Sequence, residues 1–225
     1  MVKRVYDSVS RMDTRQILPN LPQAAKLLFI RLRSLGDTVL STPIYSALKS
    51  WRPDLRISVL VEHPYEEILL NNPDLEAVWS IPSGNSGETW KWAVRLRTIQ
   101  RIRSGKFACC INLHGGTTSC LLTGLGGSRY RVGLRNFRHS FCYNARIQLP
   151  FGPKGGTRQH TVEYQMEWLY ALGLPHGDIP ALRLIPDPAL EVPVMRKLEQ
   201  VGIDLDSPYA VIQPTSMFLA RSGPM

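Results

Sequence analysis

Residues 26–62, KLLFIRLRSLGDTVLSTPIYSALKSWRPDLRISVLVE, decide the fold. Lys26 to Leu32 is a short apolar run without polar alternation. That pattern belongs to a strand buried on both faces of a parallel sheet. Arg33-Ser34-Leu35-Gly36-Asp37 follows as a loop, and Val39, Leu40, Ile44, Ala47, Leu48 and Trp51 then recur at helical spacing. The helix is expected to be interrupted near Pro43, because proline lacks the amide that an interior position must donate. Arg56 to Glu62 (RISVLVE) reads as the second strand.

The same alternation continues outward. Further strands are expected at Leu75 to Ile81, Phe107 to Leu113, Arg129 to Leu134 and Tyr143 to Leu149. Helices are expected at Pro64 to Leu70, at Trp90 to Arg103, from Thr117-Thr118-Ser119 onward, and at His160 to Leu172, where Gly173 supplies the C-terminal cap. Strands alternating with helices predict an α/β fold with a doubly wound, mostly parallel, Rossmann-like sheet. In such a sheet, ligands sit beyond the carboxyl ends of the strands. Residues 1–25 read as a poorly ordered leader, 26–173 as the domain and 174–206, rich in proline, as a linker carrying a short helix near Val194 to Val201. Pro208 to Pro214 (PYAVIQP) reads as one more strand, so that 207–225 would open a second domain.

Composition narrows the function. The 225 residues carry 27 Lys and Arg against 18 Asp and Glu, a formal charge of +9, with 44% apolar residues. That is globular composition, and its charge favours anionic partners. No run of about 18 uncharged apolar residues could cross a membrane, and the N-terminus lacks the apolar core of a secretory signal. The expected compartment is therefore the cytoplasm. Cys109, Cys110, Cys120 and Cys142 form no C-x-x-C pair and have no His at zinc-finger spacing. They read as buried reduced thiols, with no metal site. Basic residues cluster at 95–106 and 129–146 without any nucleic-acid-binding signature, so nucleic acid is not an expected partner.

Two loops at strand ends carry candidate chemistry. Gly36 leaves the backbone bare beside Asp37, which is either a helix N-cap or a carboxylate base; spacing alone favours the cap. The loop lacks both G-x-G-x-x-G and the P-loop pattern. His114-Gly115-Gly116 places an imidazole and two bare amides at the fourth strand's end. No G-x-S-x-G elbow accompanies it, which argues against a hydrolase. His160 and Glu163 either order their own helix start or serve a site.

The segment from Lys26 through WSIP, together with FACCINLHGG, RYRVGLRNFRHSFCYN and HTVEYQMEWLYALGL, resembles the ADP-heptose:lipopolysaccharide heptosyltransferases, glycosyltransferase family 9, over about residues 26–215. The resemblance rests on a strand, then Arg, four residues, Gly36-Asp37, a helix with Thr-Pro, the second strand and VEHPY. It implies one half of a GT-B enzyme, with an acceptor-binding N-terminal domain facing a donor-binding C-terminal one. It implies inverting transfer of heptose from ADP-heptose, with Asp37 as base and neither metal nor cofactor. It implies an anionic lipopolysaccharide precursor as acceptor. Arg95, Arg101, Arg135, Arg138, His114 and His160 are the expected acceptor contacts, and Gly36, Gly115 and Gly116 the backbone near the ligand. Peripheral contact at the inner face of the inner membrane would go with that substrate. After YAVIQP the family has a Lys-x-Trp motif, where this sequence runs LARSGPM. The expectation is a truncated N-terminal half, inactive alone; the alternative is a non-catalytic module that binds anionic glycans or nucleotides.

Overall fold

The computed structural model describes residues 13–83, 88–149, 160–204, 207, 208 and 210–212. Among these, β1 (Lys26–Ile30), β2 (Arg56–Glu62), β3 (Ala77–Ile81), β4 (Cys109–Asn112), β5 (Tyr130–Leu134) and β6 (Ala145–Ile147) form one sheet. The strand order is β3-β2-β1-β4-β5-β6 and every neighbouring pair is parallel. This is the doubly wound Rossmann order, in which the winding reverses between β1 and β4.

Side chains alternate across each strand, and the alternation fills two cores. Leu27 and Phe29 of β1, Ile57, Val59 and Val61 of β2, and Cys109 and Ile111 of β4 enter one. Leu28, Ile30, Leu60 and Cys110 enter the other. α2 (Thr42–Trp51) and α5 (Thr161–Ala171) cover the first face through Ile44, Tyr45, Leu48, Met166, Trp168 and Leu169. α3 (Glu88–Gly105) and α4 (Thr117–Leu125) cover the second through Ile99, Ile102 and Leu122. Burial of all four thiols raises their pKa values, Cys110 to about 12. The central strands are buried on both sides, which is why β1 and β4 read as unbroken apolar runs.

The expected interruption at Pro43 is present. α1 (Leu35–Val39) ends, and α2 starts with Pro43 in its first turn. The helix expected at Pro64 to Leu70 is instead a short 3₁₀ turn, Tyr65–Ile68. The chain must turn back at Asn72, whose Oδ1 accepts the Asp74 amide, before β3 begins. The span read as a leader is, from Asp13 on, part of the domain. A 3₁₀ turn at Thr14–Gln16 leads to Ile17 and Leu18, which are almost wholly buried, and the Leu18 amide donates to the Leu172 carbonyl. Residues 1–12 lie outside the described residues.

The chain divides into two compact units at Ile185/Pro186 rather than at Gly173. Leu174 is buried in the first unit's core, and Arg183 donates from its backbone to Thr42 Oγ1 and from its guanidinium to Asp74. In the second unit, Asp187 caps a short turn that leads into α6 (Glu191–Gln200). Of the strand expected at Pro208 to Pro214, residues 208 and 210–212 carry no strand pairing and the rest lie outside the described residues.

Gly173 closes α5 at φ +105°, where an added Cβ would stand 1.9 Å from the Arg15 carbonyl oxygen. Gly173→Ala is expected to cost more than about 1 kcal/mol in urea denaturation, through backbone strain and displacement of the Thr14–Leu18 segment. An unchanged midpoint would show that this segment does not depend on close contact with the end of α5.

Candidate functional site

The reversal between β1 and β4 leaves a crevice at their carboxyl ends, and one side chain spans it. Arg31 follows β1. Its Nη1 donates to the Leu113 carbonyl beyond β4 at 2.7 Å, and its Nη2 pairs with Asp37 Oδ2 at 2.5 Å. The Arg31 side chain is only 14% exposed and that of Asp37 38%. Asp37 is not the N-cap of α1: Ser34 occupies that position and Asp37 lies inside the first turn. There its Oδ2 also accepts from Ser34 Oγ at 3.2 Å. The carboxylate is thus fixed from two sides and still reaches solvent.

Beside it, a cleft of about 330 Å³ is lined by Leu32, Arg33, Glu62, Ile81, Pro82, Val94, Arg95, His114 and Gly116 to Thr118. Asp37 is not in that lining. Glu62, buried at the end of β2, forms a bidentate pair with Arg33. Arg95 projects from α3 and donates to Thr118 Oγ1 at 3.1 Å. His114 is half-buried, and its pKa is lowered by burial and then by the positive charges of Arg31 and Arg33, with Glu62 opposing.

Asn112 builds the His114 loop. It is fully buried at the end of β4, and its Oδ1 accepts the amides of His114 and Gly115 at 3.0 and 3.1 Å. Its Nδ2 donates to Tyr143 OH at 2.8 Å and to Ser119 Oγ at 3.1 Å. Gly115 takes φ +74°, and a Cβ there would meet the Phe137 ring at 2.6 Å. The glycine is therefore required by the turn and by packing, and Gly116 by contrast caps α4 with ordinary extended backbone.

The other expected contacts are dispersed. A Cβ on Gly36 would meet nothing within 4 Å. Arg101 lies over the Trp79 ring, 4.3 Å from its centroid. Arg135 and Arg138 are exposed after β5, outside the lining of this cleft. His160 is exposed at the N-cap of α5, where it forms a reciprocal capping box with Glu163. Of the histidine and arginine candidates, the cleft gathers Arg95 and His114. Sequence reading placed Arg31 in the pattern that leads to Gly36-Asp37 without giving it a role, and it assigned none to Arg33, Glu62 or Asn112. For Arg31, Glu62 and Asn112 the signal was a charged or amide residue at or just past the end of an apolar strand, where burial demands a partner; Arg33 is exposed and is drawn in by Glu62. Among the described residues, no group of three or more His, Cys, Asp and Glu side chains is placed to hold a metal ion.

The depressed His114 pKa makes a signed expectation. Its stabilising effect is complete above the ordinary imidazole value and is lost as pH falls through the lower folded value. An NMR titration of the ring protons is expected to place His114 below the ordinary imidazole value. A midpoint at or above that value would mean the imidazole does not face the two guanidiniums.

No protein-family model matches the chain. Among curated relatives, lipopolysaccharide heptosyltransferase 3 of Escherichia coli is 27% identical over 193 residues, 82% of this chain and 53% of that protein. Among solved structures, a glycosyltransferase family 9 protein of Veillonella parvula superposes with TM-score 0.70 at 16% identity, covering 83% of this chain and 52% of that one. The E. coli ADP-heptose LPS heptosyltransferase II superposes with TM-score 0.58 at 19% identity, covering 81% and 52%. The chain spans about half the length of the curated relatives just described. In sequence it is similar to the lipopolysaccharide heptosyltransferases, and in fold it is similar to about half of a glycosyltransferase family 9, GT-B-like protein.

Proposed function

We propose that this chain is the acceptor-side half of a heptosyltransferase, with Asp37 as the general base of an inverting transfer. The observation that carries the reading is the carboxylate at the winding reversal. It is held by Arg31 and Ser34, yet 38% of its side chain is exposed. An acceptor hydroxyl attacks the anomeric carbon of a nucleotide-bound heptose. Asp37 takes the hydroxyl proton, the new glycosidic bond forms and the nucleotide diphosphate leaves with the electrons of the broken bond. ADP-heptose is the donor suggested by the relatives' names, and a lipopolysaccharide precursor the acceptor. Arg33, Arg95 and His114 would meet the acceptor's anionic groups, since guanidinium binds carboxylate and phosphate through paired N–H donors. The donor would be held by the other half of such an enzyme. Proximity of both substrates supplies roughly 7–11 kcal/mol of barrier lowering, which neither half provides alone. The enzyme would work at the cytoplasmic face of the membrane that carries its acceptor.

The test is Asp37→Asn in a transfer assay that supplies a donor-binding half. Amide for carboxylate keeps the size and removes the base, so turnover is expected to fall by about 10²–10⁴-fold. Asparagine keeps an acceptor oxygen for the Arg31 guanidinium and the Ser34 hydroxyl, and Arg31 keeps its bond to the Leu113 carbonyl, so the melting temperature should fall little. Parent-like turnover in the variant would remove Asp37 from the reaction and leave His114 as the next candidate base. Acceptor binding without any transfer by the parent protein would favour the binding-module reading instead.

A further inference from the structure

The proposed reaction leaves part of the strand-end surface unused. Arg135, Arg138, His139 and Phe141 lie between Leu134 and Tyr143, in the loop that follows β5. The loop is wound into successive turns. The Phe137 amide donates to the Leu134 carbonyl at 3.2 Å, Ser140 to Phe137 at 3.1 Å and Cys142 to His139 at 3.1 Å. Phe137 is the inward anchor, its ring packed beside Gly115 and 6.0 Å from that of Trp168. A backbone held in this way presents its other side chains with little left to order when a ligand arrives.

Phe141 is the outward counterpart of Phe137 and is 73% exposed. Its ring stands perpendicular to the His139 imidazole, with centroids 5.9 Å apart, and His139 Nε2 lies 3.1 Å from Thr117 Oγ1. Thr117 lines the cleft, so the cleft, the imidazole and the exposed ring form one continuous surface. Arg135 and Arg138 are exposed on the same loop, and among the described residues neither guanidinium has a hydrogen-bonded or acidic partner.

We propose that this loop is a second sugar subsite and that the ligand is an acidic glycan of at least two linked rings. One ring occupies the cleft beside Arg95 and His114. The next lays its C–H face on Phe141 and turns its carboxylate to Arg138. A sugar ring suits the loop because it is apolar on one face and polar around its edge. The face covers an aromatic ring, and a carboxylate at the edge meets a guanidinium through paired N–H donors. An aliphatic ligand would leave both cations uncompensated, and a lone inorganic anion would leave the Phe141 ring in water. The inference rests on the reading of the cleft as an acceptor site and extends it, making the acceptor an oligosaccharide gripped on two loops rather than a single sugar.

The experiment is an NMR titration of the isotope-labelled chain with galacturonic acid and with its linked dimer. The monomer is expected to shift the amides of the His114–Thr118 loop. The dimer should add shifts at His139 and Phe141 and bind about three- to tenfold more tightly, the size of one aromatic contact. Phe141→Ala should remove that increment and Phe141→Tyr should keep it. Arg138→Gln should reduce the increment and its dependence on salt, since exposed charges are screened over about 8–10 Å at physiological ionic strength. Three results would overturn the proposal: a dimer that binds no more tightly than the monomer, an increment that survives Phe141→Ala, or an oligouridylate that shifts the same loop at lower concentration than the dimer. No donor is present in this titration and Asp37 takes no part in it. Transfer activity without the dimer increment would therefore remove the subsite alone, and the increment in a protein that transfers nothing would remove the transferase reading alone.

Discussion

The open end of the sheet depends on one guanidinium. Arg31 donates its backbone amide to Leu60 and so extends the β1–β2 ladder by one residue. Its side chain crosses to Leu113 beyond β4 and turns to Asp37 in α1. Three strands and a helix start are thereby tied at the place where the winding reverses and no helix covers the sheet. A lysine could supply the charge but not the two directed donors, because an ammonium is a point charge on a flexible stem. The low exposure of Arg31 also weakens screening, so the pair orients Asp37 more firmly than the same pair on an open surface.

The alternation that fills the two cores also composes the cleft. Positions 58, 60 and 62 of β2 face the α3–α4 side, and so do 110 and 112 of β4. Leu60 and Cys110 are core, but the next positions, Glu62 and Asn112, lie where the strand runs out from under the helices. A buried polar residue there must be satisfied, and each is satisfied by organising something: Glu62 by holding Arg33, Asn112 by shaping the His114–Gly115 turn. Packing and site thus come from one period-two pattern read past its apolar part.

This explains what could be read in the sequence. The strands, the break at Pro43 and the Gly173 cap follow from local chemistry, and structure and sequence place them within a few residues of each other. The 3₁₀ turn at Tyr65–Ile68 was not legible, because the return toward β3 at Asn72 is a tertiary demand. Nor was the role of Ile17 and Leu18, since an isolated Ile-Leu pair has no period and acquires meaning only against α5. At the site, the loops containing Asp37 and His114 were legible as strand ends. The bridging roles of Arg31 and Asn112 were not, because Leu113 and Tyr143, to which they respectively also bind, lie 82 and 31 residues away and no spacing rule links them.

Charge alone would have grouped all the arginines into one surface, but the structure divides them by how they are compensated. Within the cleft, Arg33 is neutralised by Glu62, and Arg95 is engaged by Thr118. An anion entering there must displace Glu62 from Arg33, but it meets the full charge of Arg95, which the Thr118 hydroxyl orients without neutralising. On the outer face, no acidic residue occurs anywhere along α4 or the described side chains of α3. Their fields add, extend into solvent and fade with salt. The chain therefore holds two kinds of positive charge: guanidiniums paired with a carboxylate, as Arg31 and Arg33 are, and guanidiniums whose partners are neutral, as those of Arg95 and Arg103 are.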